Sequence, residues 1–63
     1  MTIHLKKIRE QKNLTLIQLA NLSGVSKSQI AYIENGESIP TITVLCALAK
    51  ALQVPVTDLF SCD

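Results

Sequence analysis

In the stretch LANLSGVSKSQIAYIENG, from Leu19 to Gly36, a helical pattern breaks at a single glycine and restarts two residues later at a serine. Only a sharp turn between two closely set helices fits in that space. The helix before the turn opens at Thr15, with Gln18 three residues on. That is the spacing of a capping box, in which hydroxyl and amide each satisfy an orphan backbone donor. Leu19 and Leu22 read as its inward face. Gly24 supplies a positive φ that a Cβ would make costly. The helix after the turn opens at Ser26, and Gln29 predicts a second capping box. Ile30 and Ile33 point to the core, and Gly36 ends the segment.

The rest of the chain falls into place around this pair. A first helix is expected from about Ile3 to Lys12, with Leu5, Ile8, Arg9 and Lys12 on one face. Asn13 tolerates the left-handed conformation that follows a helix end. ESIPT is a loop in which Pro40 keeps Ile39 extended. Thr41 caps a fourth helix over Ile42 to Leu52, and Pro55 suits the first turn of a short fifth helix ending near Phe60. No segment reads as a strand: VPVT is too short and contains a proline. The expected class is all-α, a compact five-helix arrangement with residues 1–63 as a single domain, near the lower size limit for an unassisted core.

Composition narrows the functions. Hydrophobic residues make up 48% and charged residues 17%, which excludes disorder and is apolar enough to suggest self-association. No apolar run approaches the roughly 18 residues of a membrane span. The start, MTIHLKKIRE, does not have the pattern of a signal peptide, so a cytoplasmic location is expected. Cys46 and Cys62 lack metal-type spacing and His4 is far from both, so no metal or cofactor is expected. Cys46 reads as a small packing residue, Cys62 as a loose thiol and His4 as a surface side chain. No acid–base pair or phosphate-cradling glycine loop is present, so the chain does not read as an enzyme. The net charge of +1 gives no support for nucleic-acid binding by itself; Lys6, Lys7, Arg9 and Lys12 gather in the first segment, while Lys27 and Lys50 stand alone.

Helix, tight glycine turn, helix is the helix-turn-helix pattern, in which one helix braces and the other projects a face that fits the major groove of DNA. Placing Ile30 inward turns Ser28, Ala31, Tyr32 and Asn35 outward, with Lys27 projecting from the first turn. Such a face is polar and rich in donors, as the reading of base edges requires.

From Leu5 to Phe60 the chain resembles the phage-repressor/Cro, or XRE-type, family of helix-turn-helix regulators. The resemblance is carried by LKKIRE, LT..QLA, SGVSKSQIAYIENG, Pro40, LAKAL and DLF. It implies a lambda-repressor-like domain whose third helix reads double-stranded DNA, and a homodimeric repressor on a pseudo-palindromic operator. It further implies base contacts from Lys27, Ser28 and Tyr32, backbone contacts from Thr15, Ser26 and Asn35, and a structural salt bridge between Arg9 and Glu34. Three positions depart from the family pattern. Leu16 stands where glutamine is frequent, Ile17 where a polar residue is usual, and Glu37 where basic residues are common. Each lowers the expected nonspecific affinity for DNA. Leu16 and Ile17 also leave open a protein-binding helix-turn-helix, an antitoxin-like or anti-regulator module. A polar recognition face argues against that reading.

For the dimer, the fourth helix offers more than an inward stripe of Leu45, Leu48, Ala49 and Leu52. Val44, Ala47 and Ala51 are apolar too, and a helix apolar nearly all round is buried on more than one side. A second protomer meeting these residues, with Val56 and Phe60 near the seam, is the expected interface. A fifth helix and tail covering the same surface would instead give a monomer.

Overall fold

Three of the helices begin at a hydroxyl that accepts the backbone N–H three residues on. The computed structural model describes residues 1–62. Thr15, Ser26 and Thr41 cap α2 (Leu16–Ser23), α3 (Lys27–Glu34) and α4 (Ile42–Leu52), accepting from the N–H groups of Gln18, Gln29 and Val44 at 3.1, 3.1 and 3.2 Å. Each such cap stabilises its helix by about 1 kcal/mol. At Thr15 the box is complete, because its own N–H donates to Gln18 Oε1 at 2.9 Å. At Ser26 the expected second box is only half formed: Gln29 stays exposed and makes no return bond.

The first helix, α1 (Leu5–Gln11), starts two residues later than its expected Ile3 boundary. Thr2–Ile3 is instead a short strand, β1, paired antiparallel with β2 (Phe60–Ser61). The expectation of no strand is therefore corrected. Two-residue strands carry no periodicity, and this pair joins opposite ends of the chain, so nothing local announces it. The fifth helix is corrected as well. It is a single 3-10 turn, Val56–Asp58, with Pro55 extended at its N-cap, and Phe60 leaves it for the ribbon. His4 is half-buried at the joint, not on the surface. Its N–H donates to the Leu59 carbonyl at 2.8 Å, and its Nε2 lies 3.1 Å from Ser61 Oγ.

The helices enclose one core: Leu5 from α1, Leu19 from α2, Val25 from the turn, Ile30 and Ile33 from α3, four residues of α4, and Leu59. In α4 the buried stripe is Leu45, Leu48, Ala49 and Leu52, as the spacing predicts. Cys46 lies off that stripe and is exposed, not packed. Leu22 is likewise corrected, being 61% exposed. The inward face of α2 runs through Leu16, Leu19 and Ala20, which leaves Leu22 on the flank, and Val25 beyond the turn enters the core.

Gly24 ends α2 at φ 77°. A Cβ there would meet nothing within 4 Å, so the glycine is required by its torsion and not by crowding. Gly24→Ala is expected to lower stability by about 1 kcal/mol, the cost of a left-handed L-residue, read as a reduced urea midpoint. An unchanged midpoint would contradict that torsion. No helix among the described residues is long and apolar enough to cross a membrane.

Candidate nucleic-acid interface

A helix that is to present side chains to a ligand needs one face fixed and the other free. In α3, Ile30 and Ile33 are 0% and 1% exposed. On the opposite side Lys27, Ser28 and Asn35 are exposed, and Tyr32 is 53% exposed. Ala31, between them, is half-buried. The 3.6-residue repeat alone produces this division.

The far end of α3 is held by a fork. Arg9 Nε donates to Glu34 Oε2 at 2.7 Å, and a second guanidinium nitrogen donates to Oε1 at 3.2 Å. A third donates to the Leu14 carbonyl at 2.7 Å. One side chain thus ties α1, the loop before α2 and the last residue of α3 together. Glu34 sits at the negative end of the α3 dipole, where a carboxylate is unfavourable, and Arg9 offsets that charge. The hydrogen bond that Arg9 donates to Glu34 raises the Arg9 pKa above its already high ordinary value, against the opposing effect of burial.

The starts of α2 and α3 come together beside the end of α1. Arg9, Glu10, Asn13, Leu14, Thr15, Leu16, Ile17 and Lys27 line one shallow groove. Thr15 and Lys27, expected from sequence in separate roles, therefore share a wall. The N–H groups of Leu16 and Ile17 have no partner among the described residues, and they lie at the positive end of the α2 dipole, a setting that favours anions. Thr15 and Ser26 use a lone pair for capping, which leaves each hydroxyl hydrogen free to donate. Leu16 and Ile17 part company here: Leu16 is half-buried against the core, whereas Ile17 is 56% exposed.

Val44, Ala47 and Ala51 form a stripe on α4 and are half-buried, as are Val56 and Phe60. All five pack against the edge of the core and keep part of their surface open. Sequence reasoning missed the most exposed apolar side chains, Ile39 at 83% and Ile42 at 64%. Ile39 lies in the loop before Pro40, between a half-buried Ser38 and a buried Pro40, and its own side chain is left open. Among the described residues no three His, Cys, Asp or Glu side chains converge as a metal site.

The helix-turn-helix family pattern matches residues 5–59. The chain is 40% identical over 57 residues to the HTH-type transcriptional regulator SutR of Escherichia coli K12, covering 90% of this chain and 32% of that protein. It is 43% identical over 56 residues to the HTH-type transcriptional repressor RghR of Bacillus subtilis 168, covering 87% of this chain and 42% of that one. An HTH_3 family transcriptional regulator from Vibrio cholerae superposes with a TM-score of 0.82 at 42% identity, covering 84% of this chain and 30% of that structure. The chain thus spans less than half the length of either of these two curated relatives.

Proposed function

Because this chain belongs to the helix-turn-helix family of transcriptional regulators, of the XRE type, we propose that it is a sequence-specific DNA-binding repressor working as a homodimer in the cytoplasm. α3 enters the major groove. Lys27, Ser28 and Tyr32 contact base edges; Thr15, Ser26 and Asn35 contact the sugar-phosphate backbone. The observation that carries this is the division of α3 into a buried, braced side and an exposed polar side continuous with the start of α2. Lys27 suits guanine O6 or N7, Ser28 donates or accepts, and Tyr32 offers a hydroxyl or a ring edge. Selection of bound sequences from a random DNA library tests the proposal: an enriched two-fold-related motif is expected. Failure to enrich any sequence at low salt would overturn it.

One α3 covers too few base pairs for useful specificity in a genome, so two copies would read half-sites about 34–36 Å apart. The part-open stripe of Val44, Ala47 and Ala51, with Val56 and Phe60, is the proposed seam. Val56→Asp places a charge there. We expect it to shift the protein to monomer in sedimentation and to erase the preference for a palindrome over a lone half-site. A wild-type protein that is monomeric at micromolar concentration and shows no such preference would exclude the dimer.

A second reading, a helix-turn-helix that docks on protein, draws on Ile39 and Ile42. Salt separates the two. Binding through phosphates weakens steeply as salt rises, and binding through apolar contacts does not.

A further inference from the structure

Ile17 is at odds with the groove it lines. It lies on the first turn of α2, 56% exposed, beside Thr15 and Lys27. Its neighbour Leu16 packs against the core, but Ile17 is outside both the core and the residues packed on it. A branched aliphatic side chain therefore faces solvent next to a cation and the positive end of a helix. An apolar protein surface seated here would strip water from Lys27 and from the free N–H groups of α2 without replacing it. Duplex DNA brings both chemistries to one place. Its phosphates suit the helix end, and the thymine C5-methyl group lies in the major groove as an apolar contact.

We infer that Ile17 is a specificity-determining residue that packs on a thymine methyl group in the major groove, next to the base met by Lys27, and selects thymine over cytosine there. The inference rests on the DNA-binding reading above. β-Branching holds the Ile17 side chain in one dominant rotamer on the helix, so little freedom is lost on contact. Cytosine presents a bare C5–H where thymine carries the methyl group, and an amino donor in place of the O4 acceptor. Burying one methyl is worth about fourfold in affinity.

The test starts from the sequence selected by the wild-type protein, with each thymine replaced in turn by deoxyuridine, which removes only the methyl group. One thymine per half-site is expected to show about a fourfold loss of affinity. Ile17→Ala should bind the thymine and uracil versions of that site equally, and should melt like the wild type, since the side chain lies outside the core. Tyr32→Ala should leave the methyl effect in place. A methyl effect that survives Ile17→Ala, or the lack of any methyl effect, overturns the inference and leaves the DNA-binding reading intact. Failure to select any sequence overturns both.

Discussion

Arg9→Ala and Glu34→Ala each lower the free energy of unfolding by about 3 kcal/mol, the cost of leaving one charge of a largely buried pair without its partner. The side chains of Arg9 and Glu34 are only 11% and 5% exposed, so water makes up only part of the missing partner's bonds. A chain of this size has a total stability of about 3–9 kcal/mol, so either substitution removes between about a third and all of it. Arg9→Ala should be the worse, because it also strips the Leu14 carbonyl of its donor and leaves Glu34 facing the α3 dipole alone. The double replacement Arg9→Met with Glu34→Leu should recover much of the loss, since it removes both charges and keeps the volume. Urea titration of the four proteins decides. Near-wild-type midpoints for both alanine variants would show that the fork does not hold α3.

The pH dependence of this contribution has a definite sign. The folded-state pKa of Arg9 is raised. Its stabilisation is therefore fully present below the unfolded value and is lost only as pH rises through the folded one. Both lie in strong alkali. As far as Arg9 is concerned, the stability gap between wild type and Arg9→Ala should be constant from pH 6 to pH 9.

Short-range chemistry is what the sequence made legible. Thr15, Ser26, Thr41 and Gly24 each act within four residues of their own position, and the helix boundaries they announce are those of α2, α3 and α4. The buried stripe of α4 was legible for the same reason, being set by period alone. The ribbon was not, because Ile3 pairs with Phe60 across nearly the whole chain and neither strand is long enough to alternate. Leu22 and Cys46 were misplaced by a second limitation. Spacing shows which residues share a face, but the neighbouring helix decides how wide the covered face is. At the site, exposure of Lys27, Ser28 and Tyr32 followed from the position of Ile30. That Lys27 and Ile17 line the same groove did not, since it depends on how α2 and α3 cross.

If the proposed homodimer reads a two-fold operator, Lys27→Ala is expected to weaken that binding by far more than one contact suggests, because the contact is lost twice. A good contact from such a side chain to guanine is worth about 1–3 kcal/mol. Two half-sites together would lose about 2–6 kcal/mol, or roughly thirtyfold to twenty-thousandfold in Kd. The size of the loss alone does not separate a base contact from a phosphate contact. Two further readings do. If Lys27 reads a base, the variant relaxes its preference at one position in each half-site and leaves the others unchanged. If it touches phosphate, all sequences weaken alike, and the slope of log K against log salt becomes shallower by about one unit per protomer. Folding does not confuse the result, since Lys27 is exposed and the Ser26 cap beside it does not use its side chain. Equal weakening of every sequence with the shallower slope would move Lys27 to the backbone contacts. Unchanged binding would remove the start of α3 from the interface altogether, and with it the groove shared by Lys27 and Ile17 as a DNA-reading surface.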